Sequence, residues 1–178
     1  MLTNEFDYRI ADSQATSVSP IPPEKFDLDG YQDYVGALRE RNNRFWMSRT
    51  GIAIHRRFRV HEVYSYSSQD MEYSLSLQLG ALQESMKYKM DIPNFLEPWY
   101  GIGAISSAFG IEYVWQKNQA PSFKPPFSSV RESLAFNTIP VDKTYIGKKT
   151  LAMIEYFLDK TKGKIPVSLC DIQSPCNV

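Results

Sequence analysis

The sequence predicts an α/β protein with parallel strands and amphipathic helices, and three observations predict it. Two short apolar segments, within Asp91–Gly103 and Ile165–Asp171, each read as a buried strand ending in a polar turn. Between and before them lie stretches with the 3.6-residue apolar period of helices. The resulting order, helix then strand then helix then strand, is that of a parallel sheet with crossover helices.

Residues 1–29 read as an extended N-terminal arm, because Ser17-Val-Ser-Pro-Ile-Pro-Pro23 favours extended or turn backbone over helix. A helix is expected from about Asp29-Gly30, with Asp29 accepting from free backbone N–H groups. Tyr31, Tyr34, Val35, Leu38, Phe45 and Trp46 supply its apolar face, the Asn42-Asn43 pair interrupts it, and Gly51 stops it. The second helix begins near Ser67-Ser68 and Asp70. Its stripe is Met71, Leu75, Leu79, Leu82 and Met86, and Gly80 weakens it by about 1 kcal/mol relative to Ala. Lys87 and Lys89 suit its C-terminal end.

After the first strand, 102–109 suits a short helix ended by Gly110, and Ile111–Trp115 a short strand. Pro121, Pro125 and Pro126 mark a loop. A short helix over 128–136 is capped by Ser128 or Ser129. From Thr144 to Lys162, the residues Ile146, Met153, Ile154, Phe157 and Leu158 fit one helical face, closed by Gly163. A sheet of two or three parallel strands leaves its edges and one face uncovered, so 30–178 is expected to be part of a larger domain.

Composition narrows the function classes. The 178 residues carry 20 basic and 20 acidic side chains, so no net field favours nucleic acid or an anionic membrane. No apolar run approaches the ~18–20 residues of a membrane span, and the N-terminus lacks the basic-then-apolar order of a signal peptide. Cys170 and Cys176 make no disulfide scaffold; a reducing cytoplasm is the natural compartment.

The candidate site residues cluster where the two strands end. Glu97 and Asp171 would bind N–H or cationic groups, or act as a general acid and base; the alternative is that each caps a following helix. Trp99 and Tyr100 suit either an aromatic wall for a planar ligand or a core with polar tips. Gln173 and Ser174 suit hydrogen bonds to a substrate, or a turn before Pro175. Arg49 suits an anion anchor or a surface salt bridge. His55 and His61 flank the basic run His55-Arg-Arg-Phe-Arg59. Their spacing of six fits no usual ligand pair, and a solvated or phosphate-facing segment is the simpler reading. Cys170 alternates with Val167 and Leu169 and is expected to be buried. Gly101-Ile-Gly103 lacks the third glycine of a nucleotide-binding turn.

Three segments together resemble the uroporphyrinogen decarboxylase superfamily. Phe45-Trp-Met-Ser-Arg-Thr-Gly51 is similar to its Trp-x-x-Arg-Gln-Ala-Gly-Arg motif. Phe95-Leu-Glu-Pro with Ser107-Ala-Phe-Gly110 is similar to its Phe-Ser-Asp turn and following Ala-Leu-Gly. Ile165-Pro-Val-Ser-Leu-Cys-Asp-Ile-Gln-Ser-Pro175 is similar to its Val-Pro-Leu strand and Gly-Ala-Pro turn. The resemblance implies the N-terminal half of a TIM (β/α)8 barrel. It implies cofactor-free decarboxylation of porphyrinogen acetate side chains in tetrapyrrole synthesis, or corrinoid-dependent methyl transfer to a thiol. It places Glu97 and Asp171 in catalysis, with Arg49, Trp99, Tyr100 and Gln173 against the substrate. Zinc or a corrinoid would belong to a longer methyltransferase-type protein, and a small-molecule substrate, a second copy or a corrinoid protein are the implied partners. Glu97 stands where the family has aspartate, and Ile52 where it has a second arginine. These departures imply an altered substrate, or a degenerate barrel that only binds a ligand or partner.

Overall fold

A computed structural model describes residues 18–48, 50–58, 60–117 and 119–172. Four α-helices dominate it. The first, α1 (Leu28–Ser48), starts two residues earlier than the Asp29 cap predicts, because Asp27 Oδ1 accepts from Gly30 N–H at 2.9 Å. Asp29 instead pairs with Lys164 at 2.5 Å. Tyr31, Val35 and Leu38 are buried, but the apolar face ends there. The helix continues through Asn42-Asn43 with Trp46 67% exposed. The chain then turns at Gly51, where φ is +98°.

Helix α2 (Met71–Ser85) starts as its sequence predicts, with Asp70 Oδ1 accepting from Tyr73 N–H at 3.0 Å. Leu75, Leu79 and Leu82 form the expected stripe. The opposite side is covered too, by residues near 18–21 and by Val60 and Val63, which pack with Leu77 and Ala81. Gly80 makes that second layer possible. A Cβ there would lie 2.2 Å from the carbonyl oxygen of Ser19, while Ile21 N–H donates to Ser76 C=O nearby. From Ser74 to Leu82 every residue of α2 is therefore buried.

The short α3 (Val130–Ala135) is capped by Ser129, with Glu132 Oε2 reaching back to Ser128 N–H at 2.7 Å. Helix α4 (Tyr145–Lys160) is capped by Thr144 and buries Ile146, Thr150, Met153 and Phe157. Its expected closure holds, with Lys162 and Gly163 both at positive φ. The main core gathers Tyr31 and Val35 of α1, Leu75, Leu79 and Leu82 of α2, and Ile146, Met153 and Phe157 of α4 around Leu96 and Ile165. Each such side chain contributes roughly 1.5–3 kcal/mol by leaving water. No helix among the described residues is long and apolar enough to cross a membrane.

The α/β expectation is overturned. Among the described residues there is no strand and no sheet, so the parallel strands of an incomplete TIM barrel are not present. The two predicted strands do lie side by side and parallel, but for a single bridge, Leu96 with Val167. Leu96 N–H donates to Pro166 C=O and Ser168 N–H to Leu96 C=O, both at 2.9 Å. Extending this ladder either way needs the N–H of residue 98 or of residue 166, and both are prolines. The Asn94 carbonyl that the second donor would reach accepts the Tyr31 hydroxyl instead, at 2.7 Å. The segment 111–115, also predicted as a strand, makes only the antiparallel bridge of Val114 with Ser122. The predicted helix over 102–109 is reduced to a 3-10 turn, Ser106–Phe109, ended by Gly110 at φ +81°.

Candidate functional site

The bridge between Leu96 and Val167 carries two chain segments out of the core in the same direction. Just beyond it, Glu97, Pro98 and Trp99 from one segment face Ser168, Leu169, Cys170 and Asp171 from the other, across a cleft of about 520 Å³. The cleft is completed by Arg57, Tyr64 and Phe95. Of the residues predicted from sequence, the structure brings Glu97, Trp99 and Asp171 together here. Arg49 and Gln173, with Ser174 and Cys176, lie outside the described residues.

Trp99 and Tyr100 part company. Trp99 is 4% exposed and meets Tyr64 edge-on, ring centroids 5.6 Å apart, forming one wall of the cleft. Tyr100 turns into the main core, against Tyr113 and Trp115 at 6.1 and 5.3 Å. Burial, and then its hydrogen bond with Tyr145, hold the Tyr100 phenol well above its ordinary range. Tyr100 thus takes the core role that its residue type allowed.

Glu97 is paired by a residue that sequence reasoning did not single out. The Arg57 guanidinium contacts the Glu97 carboxylate and lies 3.5 Å from the Tyr64 hydroxyl. Within the run 55–59, Arg56 goes elsewhere, stacking 4.3 Å from the Tyr88 ring. Nothing local in the sequence separates these two arginines. The difference comes from an irregular segment whose alternate side chains face opposite ways. His55 is exposed and its ring lies 6.4 Å from Phe95. Among the described residues, no group of three His, Cys, Asp or Glu is arranged to hold a metal.

Two further expectations change. Cys170 is not a core residue of an alternating strand; it is half-buried on the cleft wall, and its neighbour Leu169 is 92% exposed. Burial raises the Cys170 thiol above its usual range, and the Asp171 carboxylate beside it adds to the rise. The thiol is therefore held protonated. Asp171 itself is exposed at the mouth of the cleft.

The arrangement offers a ligand a carboxylate on each side, a guanidinium beside Glu97, an aromatic wall and an open mouth. Carboxylates accept from N–H groups, guanidinium donates to carboxylates, and aromatic walls pack against a planar ring. Compared with protein-family models, curated proteins and solved structures, the chain matches none.

Proposed function

We propose that the cleft binds a pyrrolic acid and that the protein is a decarboxylase of the porphyrinogen type, acting on an acetate side chain. The observation that supports this reading is the meeting of Glu97 and Asp171, from distant parts of the chain, on the walls of one cleft that also holds Arg57 and Trp99. The motif resemblance supplies the class of reaction. A carboxylate against the ring N–H stabilises positive charge on a ring that has taken up a proton. The bond between the methylene and the carboxylate carbon then breaks, its electron pair flows into the ring, and CO2 leaves. A second proton replaces it on the methylene as the ring loses the first. Arg57 is the group suited to a second carboxylate of the ligand.

Glu97→Gln tests this. With porphobilinogen, a single pyrrole bearing an acetate, the wild-type chain is expected to bind with quenching of Trp99 fluorescence, assigned with Trp99→Phe. It is also expected to release CO2. Glu97→Gln should weaken binding about tenfold or more, as loss of a charged acceptor does, and slow CO2 release by about a hundredfold. Binding and release both unchanged would remove Glu97 from the mechanism. A ligand-binding protein without turnover is the second reading, favoured by the pairing of Glu97 with Arg57, which already occupies the carboxylate. Binding without CO2 release would select it.

A further inference from the structure

We infer that Gln78 and Asn94 are positioning residues, two buried side-chain amides that hold the backbone on either side of the Arg57–Glu97 pair. The inference deepens the proposed site and rests on the reading that Glu97 is its ligand-facing acid.

Glu97 sits one residue past the Leu96–Val167 bridge, and Pro98 has no N–H with which to continue that ladder. A neighbouring strand would normally take the N–H and C=O of such a residue. Gln78 of α2 takes both. Its Oε1 accepts from Glu97 N–H at 2.7 Å and its Nε2 donates to Glu97 C=O at 2.9 Å. Only one orientation of the amide satisfies both contacts, so donor and acceptor are assigned by the pairing itself. The second lone pair of the Glu97 carbonyl accepts from Trp99 N–H at 2.8 Å, which fixes the turn carrying the cleft wall.

Asn94 does the same for the partner. Its Nδ2 donates to Arg56 C=O at 3.0 Å and its Oδ1 accepts from Phe58 N–H at 3.1 Å. These are the two backbone groups that flank Arg57. Gln78 is 7% exposed and Asn94 6%, so each amide would be left buried and unsatisfied if it lost its partners, which is costly. That cost makes the two clamps rigid. Asn94 is anchored in turn by Tyr31 of α1, and Gln78 by its place in the buried stretch of α2. An ion pair between a half-exposed arginine and a carboxylate is worth little alone. Fixing both backbones sets its geometry without relying on that energy, as a preorganised site requires.

The test reads the pair directly in the full 178-residue chain without ligand. Two-dimensional 15N–1H spectra at low temperature should show a slowly exchanging guanidinium signal for Arg57, assigned by its loss in Arg57→Lys. Gln78→Met keeps the side-chain length and removes both contacts; hydrogen exchange at Arg57 is expected to speed at least tenfold. Gln78→Glu and Asn94→Asp are near-isosteric and keep only the acceptor half of each clamp, so intermediate rates are expected. They also supply the comparison if Gln78→Met does not fold. For the Gln78 variants Arg56, which is stacked on Tyr88 and touched only by the Asn94 clamp, is the internal reference. Exchange at Arg57 that is unchanged, or that rises only in step with Arg56, overturns the inference, because a merely structural role would loosen both alike. In a second arm, porphobilinogen binding should weaken about tenfold in Gln78→Glu. If exchange responds as expected but neither this variant nor Glu97→Gln alters porphobilinogen binding, the clamp stands and the proposed ligand falls.

Discussion

At the scale of single residues, the turn after Glu97 is shaped by one phenol. Tyr113 lies over Gly101 and Gly103, and its hydroxyl oxygen accepts from Gly103 N–H at 2.5 Å. A Cβ at Gly101, where φ is +78°, would meet the Tyr113 hydroxyl at 2.5 Å, and one at Gly103 would meet it at 2.9 Å. The two glycines, which lack the spacing of a nucleotide turn, therefore admit an aromatic ring. That packing lets Trp99 face the cleft while Tyr100 faces the core. Tyr113→Phe keeps the ring and removes the acceptor, leaving a buried N–H without its partner. It should destabilise the chain by about 1–3 kcal/mol, read by urea unfolding, and should shift the emission of Trp99 or Trp115. A variant as stable as the wild type would show that Gly103 N–H finds another acceptor at no cost.

Among elements, the helix starts were the most legible features, because a cap and the N–H it receives lie within three residues of each other. Asp70 and Ser129 cap their helices as expected, and α1 is capped by Asp27, two residues before the expected Asp29. The failed strands show the opposite case. Pro98 and Pro166 are plain in the sequence, but whether a proline interrupts a ladder depends on which partner it faces, and that register exists only in the folded chain. The site divides along the same line. Glu97, Trp99 and Asp171 could be placed together because each follows an apolar segment; Arg57, one of three arginines in an irregular run, could not. Gly80 shows how packing reverses a local rule. In an exposed helix, replacing glycine by alanine gains about 1 kcal/mol. In α2 the added methyl would strike the Ser19 carbonyl, so Gly80→Ala should instead lose about 1–3 kcal/mol. Thermal unfolding gives the sign at once, and a raised midpoint would mean that the segment at 18–21 is not held against α2.

Across the whole molecule, three phenols tie the core to alkaline pH. Burial raises Tyr31, Tyr100 and Tyr113 above the ordinary tyrosine value of 10.0, Tyr113 to about 12. For Tyr113 the Gly103 N–H favours the phenolate, yet burial outweighs it. Because the folded values are raised, the neutral phenols stabilise the folded chain fully below pH 10. That contribution is lost as the unfolded chain ionises above pH 10, with the Tyr113 share gone near pH 12. The expected outcome is a melting midpoint that does not fall on account of these phenols between pH 7 and 9 and falls above pH 10. The phenolate absorbance at 295 nm from the buried tyrosines should appear together with loss of the helical circular dichroism. Ionisation of all 11 tyrosines near pH 10 with helices intact would contradict it. The same titration reaches the cleft. Tyr31 donates the hydrogen bond that anchors Asn94, and Asn94 grips the backbone around Arg57. A phenolate cannot donate, so Tyr31→Phe should speed hydrogen exchange at Arg57 already at neutral pH, where the other phenols are intact. Core and cleft are coupled through one hydroxyl, and exchange at Arg57 that is indifferent to Tyr31→Phe would separate them.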